Sequence, residues 1–106
     1  MKKYTTLMTM LVLIPFHHNV SASEMEVNLG EKLYGGVCAG CHGPAAEGAY
    51  GPKLSDYSEV KLVDLINKYK GTEQSGSGKI MSSIAVGLSD DDVNRVSKYI
   101  ANMNKK

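Results

Sequence analysis

Two cysteines three residues apart, followed at once by a histidine, are the residues of this chain most committed to a chemistry: Cys38-Ala39-Gly40-Cys41-His42. Positions i, i+3 and i+4 share one face of a helix. Both thiols can then bond to the two vinyl groups of one haem while the imidazole reaches its iron, which is the attachment pattern of a c-type haem. Cys38 and Cys41 are the only cysteines present, so none is left for a second role. Three other uses of the pair compete with this one. A thioredoxin-like redox pair calls for a βαβ context, and no strand-rich run precedes Cys38. A structural zinc site needs about four ligands, and the other histidines, His17 and His18, fall in a segment expected to be removed. A plain disulfide would leave His42 without a purpose.

An electron-carrying haem iron usually has two protein ligands. His42 is expected as the proximal one. Without His17 and His18 it is the sole histidine, which excludes a bis-histidine iron within one chain. The remaining methionines outside the leader are Met25, Met81 and Met103. Met25 sits at a fraying terminus, and Met103 continues the apolar stripe of the last helix, where core packing accounts for it. Met81 lies in a stretch read as a loop without helical period. Its thioether is the expected distal ligand, a soft donor that favours reduced iron. Lys79, an open iron site, and Met81 as mere loop filler are the alternatives.

The 106 residues allow one small domain behind a leader. Residues 1–23 read as a cleaved secretory signal peptide. Lys2 and Lys3 give a positive start, an apolar run follows over 7–16, and Val20-Ser21-Ala22 or Ser21-Ala22-Ser23 offers a small-residue cleavage site. That run is about half the roughly 20 residues a membrane-spanning helix needs, so no span is expected once the signal is gone. An uncleaved anchor is the alternative. Residues 24–106 then form the mature domain, expected in the periplasm.

Removing Lys2 and Lys3 turns the formal charge of +1 slightly acidic, which gives no footing for nucleic acid or an anionic membrane. The mature aromatics are Tyr34, Tyr50, Tyr57, Tyr69 and Tyr99, with no tryptophan. So small and aromatic-poor a chain has difficulty building a core alone. A buried macrocycle would supply the missing apolar surface.

The elements that must position these groups all read as helices. Over 26–37, Leu29, Leu33 and Val37 recur at i, i+4, i+8, with Gly35 and Gly36 weakening the end. Residues 43–58, with Pro44, Gly48, Gly51 and Pro52, read as a loop wrapped around a ligand. A second helix starts near Asp56 or Ser58, carries Leu62, Leu65, Ile66 and Tyr69 on one face, and stops at Gly71. A polar loop over 71–79 precedes the apolar stretch of Ile80, Met81, Ile84, Ala85, Val86 and Leu88. The last helix is the best marked: a Ser89 cap, three acids at 90–92 for the positive end of the dipole, and a stripe of Val93, Val96, Ile100 and Met103, with Lys105 and Lys106 at the negative end. No segment alternates with period two. The fold class is all-α.

The pattern Gly30-x-x-x-Tyr34-x-x-x-Cys38-x-x-Cys41-His42-Gly43, then Gly51-Pro52-x-Leu54, Met81, Leu88-Ser89-Asp90 and Tyr99-Ile100, resembles small class I cytochromes c of the c-553 type. The run over 80–90 is also similar, locally, to the cytochrome subunit of flavocytochrome c sulfide dehydrogenases. The resemblance implies three to four helices wrapped around one covalently attached haem c. It implies that the first helix crosses the last at Gly30 against Tyr99, that the Pro52 carbonyl accepts a hydrogen bond from Nδ1–H of His42, and that Met81 is the distal ligand. Many members have proline directly after this methionine; Ser82 stands here, which would leave a loop less stiff.

The implied function is a soluble periplasmic monohaem carrier of single electrons rather than an enzyme. Its partners would be redox proteins, and it would be a monomer or a subunit of a small complex. Lys53 and Lys79 flank the loops expected at the haem edge and could steer an acidic partner. The alternative function is the electron-accepting subunit of a periplasmic flavoprotein oxidoreductase.

Overall fold

The computed structural model describes residues 10–16, 19–71, 75–103 and 105. Lys2, Lys3, Leu7, His17, His18 and Lys106 lie outside them. Residues 10–16 are irregular and expose Met10, Leu11, Val12, Leu13, Ile14 and Phe16. No helix among the described residues is long and apolar enough to cross a membrane.

The described residues contain no strand. They form α1 (Ala22–Leu33), a π-helical turn (Tyr34–Cys38), α2 (Ala39–His42), α3 (Glu59–Gly71), α4 (Ser77–Val86) and α5 (Asp90–Met103). The first three of these run on as one rod, because the residues at both junctions keep right-handed helical dihedrals. The first helix therefore starts four residues before the expected position, and the rod runs past the expected end at Val37 without breaking at Gly35 and Gly36. It widens there instead, the Ala39 N–H reaching the Tyr34 carbonyl five residues back. A glycine ends a helix by turning left-handed; Gly35 and Gly36 do not, and Tyr34 at the start of the turn is buried in the core.

α5 is capped on both sides of the same box. The Asp92 N–H donates to Ser89 Oγ and the Ser89 N–H donates to Asp92 Oδ2, each at 3.1 Å, which satisfies two otherwise orphan donors. These bonds hold the Asp92 carboxyl below the usual range. Val93, Val96 and Ile100 are buried as the stripe requires, together with Ser97, whose hydroxyl has no hydrogen-bond partner among the described residues. α3 is capped by Ser58, whose Oγ accepts from the Lys61 N–H at 3.2 Å, while Asp56 pairs with Lys53 at 3.2 Å instead.

The apolar stretch after Lys79 is the main departure from expectation. It is a helix, α4, and not a loop. Met81, Ile84, Ala85 and Leu88 stand at i, i+3, i+4, i+7 and turn inward, Ala85 and Leu88 fully, whereas Ile80 and Val86 are exposed.

α1 crosses α5 at Gly30. A Cβ there would lie 2.6 Å from the Arg95 carbonyl oxygen and 3.1 Å from Tyr99 Cβ, so only glycine lets the two backbones come so close. Arg95 then closes the crossing with a two-pronged ion pair to Glu26, at 2.7 and 3.2 Å. Beside it, the Tyr34 and Tyr99 rings meet in a tilted pair with centroids 5.7 Å apart. The core is Tyr34, Ala46, Leu62, Ile66, Ala85, Leu88, Val93, Val96 and Ile100.

Two predictions follow from the crossing. Alanine is the better helix former by about 1 kcal/mol, but overpacking against backbone costs about 1–3 kcal/mol. Gly30→Ala should therefore lose up to about 2 kcal/mol in urea unfolding; a gain would show that the crossing is looser than described. The second concerns Glu26, whose carboxyl is held below its usual range chiefly by the Arg95 hydrogen bond. A depressed folded value means that the pair stabilises above the ordinary carboxylate range and stops doing so as pH falls through the depressed value. Urea midpoints of wild type and Glu26→Gln should differ at neutral pH and converge in acid.

Candidate functional site

The site begins where the helical rod stops. Cys38 ends the π turn, and Cys41 and His42 lie on α2, so the whole motif is helical as its spacing requires. Cys38 is half-buried and Cys41 exposed, and the two are not bonded to each other. Burial pushes the Cys38 thiol up to about 11, which keeps it uncharged at neutral pH. Among the described residues no group of three or more His, Cys, Asp and Glu side chains is placed to hold a metal ion, so nothing there completes a zinc site around the pair.

His42 is oriented by its neighbours. Its Nδ1 lies 2.7 Å from the Pro52 carbonyl oxygen. A carbonyl only accepts, so the proton sits on Nδ1 and the Nε2 lone pair points away from that bond. Gly51 lies against the ring: a Cβ there would fall 2.9 Å from Cε1 and 3.0 Å from Nδ1. The imidazole therefore sits in a cradle that any side chain at 51 would fill.

The loop that delivers Pro52 is fastened to the motif itself. The Gly48 N–H donates to the His42 carbonyl and the Gly51 N–H to the Cys41 carbonyl, both at 2.7 Å. Above them the Tyr34 hydroxyl donates to the Gly43 carbonyl. Burial first, and the neighbouring Cys38 second, push that phenol up to about 12. Glu47 folds its carboxylate over Gly43 and accepts from the Ala45 N–H at 2.7 Å.

Met81 lies elsewhere in sequence, on α4, half-buried with its side chain packed against the core cluster. Lys79 is exposed in the first turn of the same helix, and Lys53 is engaged by Asp56. Sequence reasoning gave Tyr34 no polar role and passed over Glu47. The signal for Tyr34 was its place one helical turn before Cys38.

The cytochrome c family model matches residues 27–104. This chain belongs to the cytochrome c family. The residues fit that family's cofactor, haem c: two thiols and an imidazole on one helix face, and a ring whose second nitrogen has no competing bond among the described residues. Like the family, the cytochrome transfers electrons. It is 38% identical over 72 residues to the thiosulfate dehydrogenase electron acceptor of Stutzerimonas stutzeri, a match covering 65% of this chain but only 33% of that protein. It is 33% identical over 84 residues to cytochrome c-554(547) of Halothiobacillus neapolitanus, covering 70% of this chain and 92% of that one. Cytochrome c4 of Azotobacter vinelandii is 35% identical over 94 residues, 44% of its length. No solved structure matches the cytochrome significantly.

Tyr34→Phe keeps the ring pair with Tyr99 but removes one of the two donors to the buried Gly43 carbonyl, leaving the Ala46 N–H at 3.1 Å. The expected loss is about 0.5–1.5 kcal/mol in urea unfolding, the net worth of one hydrogen bond; an unchanged midpoint would show that water replaces the phenol at no cost.

Proposed function

We propose that this cytochrome is an exported, periplasmic carrier of single electrons. Cys38 and Cys41 hold one haem c through thioethers, His42 is its proximal ligand and Met81 its distal ligand. The observation that carries this reading is the 2.7 Å hydrogen bond from His42 Nδ1 to the Pro52 carbonyl. It fixes the tautomer that leaves Nε2 for iron, and it makes the imidazole a stronger electron donor. The bound haem supplies a one-electron iron couple. The chain's own residues orient the imidazole and offer a soft sulfur from α4, half-buried against the core.

Export is supported by the positive start, the apolar run and the small-residue site within residues 1–23. Cleavage there would cost the fold little. The Ser21 hydroxyl that caps α1 accepts from the Glu24 N–H at 3.4 Å, a long bond. Charge steering by a partner would rest on Lys79 more than on Lys53, which Asp56 already neutralises at 3.2 Å.

A second reading is that the protein is the electron acceptor of one particular dehydrogenase. It is favoured by the likeness to a protein named for accepting electrons from a thiosulfate dehydrogenase, and by the local resemblance over 80–90 to a sulfide dehydrogenase subunit. Stable co-purification with a flavoprotein would support it, and a monomer by light scattering would count against it.

Visible spectra of both redox states test the ligand set. Oxidised wild type should show the methionine-to-iron charge-transfer band, and reduced wild type should refuse carbon monoxide. Met81→Ala should lose the band, bind carbon monoxide and have a lower reduction potential, because the soft ligand that favours reduced iron is gone. Wild type that lacks the band and binds carbon monoxide would sink the assignment of Met81.

A further inference from the structure

Lys70, in the last turn of α3, reaches across to the junction of α4 and α5. Its Nζ donates to the Leu88 carbonyl at 2.7 Å and lies 3.4 Å from Asp90 Oδ1. The Lys70 side chain is 24% exposed, whereas that of Asp90 is 94% exposed, so the carbonyl bond is the sheltered one and the ion pair contributes little. Leu88 is itself buried, and its N–H closes back on the Ala85 carbonyl at 3.1 Å. The carbonyl that Lys70 holds thus belongs to the turn that follows α4, two residues past Val86. A charged donor forms a stronger bond to it than a neutral one would.

Among the described residues the other end of α4 has no comparable fastening. Its cap position is Gly76, which offers no side-chain hydrogen bond, and the helix packs on α3, the element that carries Lys70. Met81 and Ala85 share one face of α4 at i, i+4, and the turn after it is tied to the helix, the Gly87 and Leu88 N–H groups donating to the Ile84 and Ala85 carbonyls, each at 3.1 Å. A shift at Leu88 therefore passes through this turn to α4 and to Met81.

We propose that Lys70 is the positioning residue for the Met81 thioether: its hold on the Leu88 carbonyl sets the depth and rotation of α4, and so keeps the sulfur in place as the distal ligand. This rests on the reading of Met81 as that ligand. It adds a residue outside the motif, on a different helix from the methionine.

The experiment titrates oxidised full-length holoprotein with imidazole, which competes with the thioether for iron, and reads binding from the visible spectrum. Lys70→Met keeps the length of the side chain and removes its donor. It should bind imidazole roughly tenfold more tightly than wild type, the weight of one charged hydrogen bond. Lys70→Arg should restore wild-type affinity. Glu26→Gln breaks a remote ion pair and serves as the control for general loosening; its imidazole affinity should stay within about twofold of wild type. Tight binding by Met81→Ala with wild-type affinity in Lys70→Met would overturn the role of Lys70 alone, as would equal tightening in Lys70→Met and Glu26→Gln. Equal affinities of wild type and Met81→Ala would overturn the ligand assignment and the role of Lys70 with it.

Discussion

The close approach of α1 and α5 at Gly30 is the contact on which the site depends. It is a backbone contact, with the Arg95 carbonyl where a side chain would otherwise be, and it fixes how the first rod lies in the molecule. From it a line of contacts leads to the haem motif. Tyr99 meets Gly30 through its Cβ and Tyr34 through its ring. Tyr34 in turn holds the Gly43 carbonyl, and Gly43 follows His42 directly. A packing decision made twelve residues upstream is thereby delivered to the His42 imidazole. The π turn belongs to the same logic. Such turns are often found at functional sites, and this one keeps Tyr34 in the core while the rod continues to Cys41 and His42.

The opposite side of the imidazole is set by a loop whose pivot is an unlikely residue. Ala46 is buried and has a φ of +56°, a conformation that costs an L-residue about 1–2 kcal/mol. It persists because the surroundings over-determine it. Its N–H donates to the Gly43 carbonyl, and its own carbonyl accepts from both the Leu54 and Ser55 N–H groups. That double bond folds the chain back, so that Gly51 and Pro52 arrive at the His42 ring. The strain at one alanine is offset by the loop closure it permits.

What could be read from the sequence divides along this line. α5 was legible because cap, first-turn acids and apolar stripe all point to one answer. The attachment motif was legible because its spacing is its mechanism. α4 was not, although Met81, Ile84, Ala85 and Leu88 carry the helical period: the exposed Ile80 and Val86 make the stretch look uniformly apolar and hide it. The bond from His42 to Pro52 came only through resemblance, since the acceptor is a backbone carbonyl and any residue has one. The bond from Lys70 to Leu88 had no such resemblance to reveal it. It joins residues eighteen apart in sequence through another backbone carbonyl, and tertiary bonds of that kind leave no mark on residue type.

The helical placement of Met81 also changes the meaning of Ser82. Proline after the methionine would stiffen a loop by fixing φ, and its absence reads as a loss if the segment is a loop. In α4, residue 82 is interior to Ser77–Val86. Proline there would remove a backbone donor and clash with the carbonyl four residues back, at a cost of about 3 kcal/mol or more. Serine is what allows the helix to run through Met81 and on to Val86. The stiffness that proline would supply locally is supplied here by the helix ladder, and it is worth only as much as the fastening at the end of that ladder. The position of the sulfur thus becomes a property of how α4 is held to α3, and no longer of the residue beside it.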